Sequence, residues 1–380
     1  MHDVKLDRRS WLAGSSALLC LPTVSSGFMA AAQPRTAQGM DWYDPQQWGV
    51  EGRGWQQTAR YYDRLPDQAE QSVRGAVWNL SRHSAGMLVR FQTDASDIHV
   101  RYRLLSPRLA MPHMPATGVS GVDLYARDAA GADRWLAVSM PKSQEVESKL
   151  VGGVDPSADA AGRMFTLYLP LYNGLEQLEI GVPAGAGFSP EPPRSEKPLV
   201  FYGTSIMHGA CASRPGMSIT GILGRRLNRP VINLGFSGNG RMEKEVGELL
   251  AELDAAVYVV DCLPNMQAAE VRQRSVPLVE QLRRARPEIP ILLVEDRTYG
   301  YAHLRKGARE RQRESRLALR EAFGRLTGRG LSRLYYLSGA GLLGSDGEAT
   351  TDGSHPNDLG MVRYADAYEP ILREILEGTA

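Results

Sequence analysis

Beyond its N-terminal stretch, this 380-residue chain has no segment approaching the ~18 consecutive apolar residues that a membrane-spanning helix needs. It also lacks an excess of either charge. With 44 Lys and Arg against 43 Asp and Glu, electrostatics gives no reason to expect nucleic acid or an anionic membrane as a partner. Its 7 histidines show no His-x-x-x-His or comparable spacing, so the sequence offers no support for metal catalysis and implies no cofactor. No internal repeat indicates a solenoid or a propeller. Cysteine is scarce as well, at 3 residues: Cys20, Cys211 and Cys262.

The first residues read as a targeting segment. Arg8-Arg9-Ser10-Trp11-Leu12 opens a weakly apolar stretch, and Ala30-Ala31-Ala32 supplies small residues for cleavage. This pattern predicts a twin-arginine (Tat) signal peptide over residues 1–32, with a Sec signal as the alternative, and hence an exported, periplasmic or secreted protein. Gly14, Pro22 and several serines interrupt the apolar stretch, which argues against stable membrane insertion. Leu19 stands before Cys20 where lipidation normally needs a small residue.

From 41 to 183 the pattern is that of strands. Residues 87–92 and 98–103 include period-two alternation, separated by the turn-rich Thr93-Asp94-Ala95-Ser96-Asp97. Residues 165–171 and 175–180 flank Tyr172-Asn173-Gly174, which reads as a hairpin turn. Short strands without convincing helices predict a β-sandwich domain. Residues 184–198, rich in Pro, Gly, Ala and Ser, read as a linker. From 199 to 380 strand-like runs near 199–202, 231–234, 257–261, 291–295 and 334–337 alternate with helical stretches. That grammar predicts a parallel sheet covered by helices on both faces. The arginine-rich stretch 305–320 reads as part of an amphipathic helix with a solvated basic face, with Leu317, Phe323 and Leu326 as its apolar partners.

In such a sheet, active sites form at the carboxyl ends of the strands, and the polar motifs fall there. Gly203-Thr204-Ser205-Ile206 follows the first strand, Ser237-Gly238 the second and Asn265 the third, while Asp352-Gly353-Ser354-His355-Pro356 follows the fifth. A serine on a turn after a strand is placed to be an exposed nucleophile. An aspartate three residues before a histidine can orient one imidazole nitrogen while the other faces the serine hydroxyl. Ser205, Asp352 and His355 are therefore the candidate catalytic residues. The backbone N–H groups of Ser205 and Gly238 and the Asn265 amide are the candidate oxyanion hole. His208, Arg214, Asp296 and Arg297 are candidate pocket residues. The loop holding Met111, His113 and Met114 is expected to lean over the cleft.

These motifs resemble those of the SGNH/GDSL hydrolases. Four blocks match in order: Gly203-Thr204-Ser205, Asn233 to Gly238, Asp261 to Met266 and Asp352 to Pro356. Gly121-Val122-Asp123-Leu124-Tyr125 resembles the Gly-x-Asp-Leu-Tyr signature of the branch with an N-terminal β-sandwich. Thr204 departs from the family's usual aspartate, so altered local hydrogen bonding is expected there, with activity kept. The resemblance implies a flavodoxin-like, three-layer α/β catalytic domain and an esterase acting on a small-molecule or oligosaccharide ester, acetylated carbohydrate above all. An acyltransferase with the same triad and a lipase or phospholipase are the enzymatic alternatives. A non-enzymatic sugar-binding module using Trp42, Trp48, Trp55 or Trp78 is a third class. The family's strand order also brings Cys211 and Cys262 towards each other, leaving a disulfide and two buried thiols as alternatives.

Overall fold

The N-terminal half alternates apolar and polar residues along strands too short to be stable alone, so its apolar faces must close on one another. In the computed structural model, which describes residues 32–155 and 162–378, they do so as a sandwich. Residues 1–31 of the predicted signal peptide lie outside the described residues. The strands are β1 (Arg35–Ala37), β2 (Met40–Tyr43), β3 (Leu88–Thr93), β4 (Ile98–Leu104), β5 (Asp123–Arg127), β6 (Asp133–Val138), β7 (Glu145–Val151), β8 (Arg163–Tyr168), β9 (Leu175–Pro183) and β10 (Phe188–Glu191). Two antiparallel sheets result, ordered β1-β2-β9-β4-β7 and β10-β3-β8-β5-β6. In β4 the alternation sends Ile98, Val100, Tyr102 and Leu104 inward, where they pack with Val89, Phe91, Phe165 and Leu167 from the facing sheet.

Three readings of this half need correction. Tyr172-Asn173-Gly174 is not a hairpin turn, because β8 and β9 belong to different sheets. Asn173 ties the crossing segment to Ser106, its amide oxygen accepting from the backbone N–H at 3.0 Å and its NH₂ donating to the carbonyl at 2.9 Å. Two short helices also interrupt the strands, α1 (Gly75–Ser81) and α2 (Ala116–Val119). Thirdly, the segment read as a linker contains β10, which pairs with β3. Trp42, Trp48 and Trp78 are buried in the core, and the half-buried Trp55 donates to Glu252 at 2.6 Å.

After the linker region the chain continues as β11 (Leu199–Gly203), α3 (Ser205–His208), α4 (Ile219–Arg226), β12 (Val231–Gly235), α5 (Lys244–Glu252), β13 (Val257–Asp261), α6 (Ala268–Ala285), β14 (Ile291–Val294), α7 (Lys306–Gly328), β15 (Leu334–Leu337) and α8 (Asp358–Glu377). The sheet is parallel throughout, in the order β12-β11-β13-β14-β15. Every residue of β11, β12 and β13 is buried, as a sheet covered on both faces requires. Val200 and Tyr202 pack towards α5, α6 and α7, whereas Leu199 and Phe201 pack towards α4 and α8. In α7 the expected apolar face holds at Leu326, which is buried, and at Phe323, which packs partly buried against the core, but Leu317 is 49% exposed and Ala318, Leu319 and Ala322 complete the buried face. Several of its arginines are engaged rather than freely solvated: Arg320 bonds Glu295 at 2.6 Å and Arg316 donates to the Asp296 carbonyl at 2.9 Å.

Residues 31–380 form one compact body, and buried polar contacts explain why. The signature carboxylate Asp123 accepts from Arg214 at 3.0 Å and from the Gly216 N–H at 2.8 Å, while Tyr125 Oη meets Arg214 at 2.5 Å. Glu51 receives Arg194 through Nη2 at 2.5 Å and Nε at 3.0 Å, and Arg194 also donates to the carbonyl of Arg229 at 3.0 Å. Glu51 is 4% exposed, so removing its carboxylate strands a guanidinium among partners that cannot neutralise it. Glu51→Ala should cost about 3 kcal/mol, read as a lower urea midpoint of a single transition. Two separated transitions, or an unchanged midpoint, would show that this pair does not join the halves.

Candidate active site

Strand register sets the site. Gly203 at the end of β11 stands level with Gly235 of β12 and Asp261 of β13, so three loops leave the sheet at one height. Thr204 is extended and its Oγ1 accepts from the Ile206 N–H at 3.3 Å. The threonine thus caps α3 where the family pattern has aspartate. Ser205 is the first residue of that helix, so its own N–H has no intrahelical acceptor. On the neighbouring loop, Gly240 lies against the nucleophile turn: a Cβ there would fall 1.9 Å from the Gly203 carbonyl oxygen.

Ser205 Oγ is 2.9 Å from His355 Nε2, and His355 Nδ1 is 2.7 Å from Asp352 Oδ2. The second carboxylate oxygen, Oδ1, accepts from the backbone N–H of His355 at 2.7 Å and of Ser354 at 2.9 Å. Burial opposes ionisation of Asp352, but the backbone and imidazole hydrogen bonds from His355 outweigh it and bring the carboxyl down to about 2. A permanently ionised Asp352 holds the proton on Nδ1 and leaves Nε2 free to accept from the serine hydroxyl. Gly238 adopts φ +70° on the exposed tip of its loop. In the orientation its neighbours dictate, the Asn265 amide oxygen accepts from the N–H groups of Asn239 at 3.0 Å and Gly240 at 3.2 Å. Its NH₂ group is then left as a donor. Among the described residues, no group of three or more His, Cys, Asp or Glu is placed to hold a metal ion.

The candidate pocket residues divide sharply. His208 is fully buried and stacks on Tyr172 with ring centroids 4.1 Å apart. Arg214 braces the sandwich signature. Asp296 and Arg297 are 1% and 2% exposed behind the catalytic loop. Met114 is a core residue beside Ile206 and Met207, and Met111 packs against that same cluster. Of these candidate pocket residues His113 alone is exposed, its ring 5.8 Å from that of His355. The loop thus comes near His355 through this one side chain.

Sequence reasoning missed what lies beneath Ser205. Tyr172, in the crossing segment, donates its hydroxyl to the Ser205 carbonyl at 3.2 Å. Arg64, fully enclosed, donates to the carbonyls of His83, Asn233, Gly235 and Leu80 at 2.6–3.0 Å and lies 3.4 Å from His208 Nε2. A guanidinium can only donate, so His208 accepts at Nε2 and carries its proton on Nδ1. Burial, then the Arg64 charge, pushes His83 down to about 3 and His208 well below the usual imidazole range. Arg64 sits in Tyr61-Tyr62-Asp63-Arg64-Leu65, where nothing in the local pattern marks it. Cys211 and Cys262 are both free and buried, so the disulfide alternative is not realised. Cys262 lies in the core under α5–α7, whereas the helix leading to Cys211 packs into the core on the other side of the sheet. Burial pushes both thiols up, Cys211 to about 11.

Behind the site, Asp261 accepts from Tyr368 Oη at 2.6 Å and shares its surroundings with Asp296, Arg297, Tyr364 and Cys262. Burial, with repulsion from Asp296, pushes its carboxyl up to about 7, against the help of Tyr368 and Arg297. The native chain therefore holds a proton that the unfolded chain, with a carboxyl near ~4, releases, and stability should fall as pH rises between those values. Asp261→Asn cannot lose that proton. Its Tm should match wild type near pH ~4 and exceed it by a few degrees near pH ~8; parallel Tm–pH curves would refute the buried proton.

Comparison with known proteins gives the family. Residues 196–373 match the GDSL-like lipase/acylhydrolase family, and residues 40–188 match the GxDLY N-terminus of SGNH-hydrolase-type esterases. No curated protein matches the chain. Among solved structures, a salicylyl-acyltransferase from a tetracycline biosynthetic pathway has 18% identity and a TM-score of 0.69, with 90% of this chain and 98% of that one covered. A family two carbohydrate esterase from Clostridium thermocellum, in complex with cellohexaose, has 14% identity and a TM-score of 0.54, over 77% and 92% of the two chains. A GDSL-like lipase from Bacteroides ovatus has 32% identity and a TM-score of 0.84, over 89% of this chain and 98% of that chain. The chain belongs to the GDSL-like lipase/acylhydrolase, or SGNH hydrolase, family and is an ester hydrolase.

Proposed function

We propose that the protein is an exported serine esterase that removes small acyl groups, acetyl above all, from carbohydrate. The observation that carries the mechanism is the continuous relay from Ser205 Oγ through His355 to Asp352, at 2.9 and 2.7 Å. Ser205 attacks the acyl carbon as His355 Nε2 takes its proton. The oxyanion is received by the N–H groups of Ser205 and Gly238 and the Asn265 NH₂. Collapse expels the alcohol, which takes the proton back from His355, and water then repeats the sequence on the acyl-serine. A carbohydrate substrate is supported by the shared fold of the cellohexaose-bound esterase. Acyl transfer to an alcohol other than water is the second reading, supported by the salicylyl-acyltransferase, which matches across both chains.

Ser205→Ala should abolish p-nitrophenyl acetate hydrolysis with the fold intact, and a serine-directed organophosphonate should label wild type at Ser205. Labelling elsewhere, or activity in the variant, removes the proposal. Asn265→Ala should lower kcat by ~10²–10³. Acetylated oligosaccharides followed by mass spectrometry test the substrate, and an acyl product formed on added alcohol in preference to water would establish transfer. His113→Ala should lower kcat/KM for acetylated oligosaccharide more than for p-nitrophenyl acetate; equal losses would make His113 a bystander. Export by the twin-arginine route requires that replacing Arg8 and Arg9 with lysine retain the precursor inside the cell.

A further inference from the structure

The catalytic histidine rides on a loop that has little structure of its own, and the segment following β14 grips that loop at successive residues. Gly300 N–H donates to the Gly353 carbonyl at 2.9 Å. Gly353 has φ +80°, and a Cβ there would come within 2.4 Å of Tyr301 Cδ1, so the tyrosine ring lies directly on the loop backbone. At the next residue, Arg297 Nε donates to the Ser354 carbonyl at 3.1 Å and Arg297 Nη2 to the Ser354 hydroxyl. Ser354 is the residue between the Gly353 hinge and His355, and its own N–H is bound by Asp352 at 2.9 Å.

The arginine itself is held rigidly. Its Nη1 donates to Asp296 Oδ1, and the side-chain amide of Gln312, from α7, donates to its carbonyl. The Tyr299 ring lies 4.4 Å from its guanidinium carbon and is stacked on Tyr301 at 5.3 Å with planes 7° apart. At 2% exposure Arg297 is closed off from solvent, so it serves neither as a substrate contact nor as a surface charge. A buried guanidinium that spends two arms on one loop residue is a costly way to hold a surface loop, unless its position must be fixed to fractions of an ångström.

We propose that Arg297 is a positioning residue for His355: gripping Ser354 at both carbonyl and hydroxyl, it fixes the loop at the height where Nε2 meets Ser205 Oγ. This rests on the triad reading above. The arginine touches neither substrate nor reacting atoms, and it acts through the loop alone. Lysine cannot replace it, because one ammonium lacks the fork that reaches Asp296 and both Ser354 oxygens at once.

The test uses the full chain, with active sites counted by organophosphonate stoichiometry so that misfolded molecules drop out. Arg297→Lys should lower kcat per titrated site by ~10–100-fold with KM within about twofold. Arg297→Ala should lose more, and millimolar guanidinium, but not ammonium, should restore part of it. Ser354→Ala, which removes only the hydroxyl arm, should reduce kcat severalfold. A merely structural arginine would lower the Tm and the titrated fraction but leave kcat per site unchanged, and that result overturns the proposal. If neither Arg297 variant folds, Ser354→Ala decides, and wild-type kcat in it overturns the proposal too. Ser205→Ala is assayed alongside; residual activity there breaks the triad reading itself, a failure separate from that of the clamp.

Discussion

The constraint on which the rest of the molecule depends is the burial of Arg64. A guanidinium taken out of water must find an acceptor for each of its donors, and here none of the acceptors is a carboxylate. Burial brings its acidity to about 9, which leaves it charged near neutrality. Its acceptors are carbonyls from the sandwich side, carbonyls from β12 and a ring nitrogen of α3. Those three elements are thereby held in one arrangement. β12, which leads to Gly238, cannot shift without breaking a bond to a charge. Nor can α3, which begins with Ser205.

The signature of the N-terminal domain has the same physical meaning. Asp123 is wholly buried yet bonded to Arg214, the Gly216 N–H and Trp135. Its partners come from both halves, so the signature motif describes an interface and not a pocket. The surroundings of Ser205 are built in part by the N-terminal domain.

The sequence revealed most where local rules decide the outcome. Runs such as Leu199 to Gly203 and Val257 to Asp261 must be buried parallel strands, and the carboxyl-edge rule then brings Ser205, Gly238, Asn265, Asp352 and His355 to one rim. It revealed least where a side chain's role depends on distant partners. His208, Arg214, Asp296 and Arg297 follow strands as pocket residues would, and only their tertiary partners show that Arg214 ties the two halves together while the others lie buried behind the site. Tyr172-Asn173-Gly174 has the composition of a tight turn, because a sheet-to-sheet crossing uses the same residues when an asparagine must satisfy backbone groups at a corner. On α7 the small residues Ala318 and Ala322 share the buried face with Leu319 and Leu326, so counting only large apolar residues misplaces Leu317.

The crossing at Tyr172 has a further meaning. A segment that passes between the two sheets, stacks on His208 and holds the Ser205 carbonyl belongs to three structures at once. The α/β unit is therefore not a cassette that could be lifted out and grafted onto another partner domain. Exchanging either half alone would leave Tyr172 without one set of its partners.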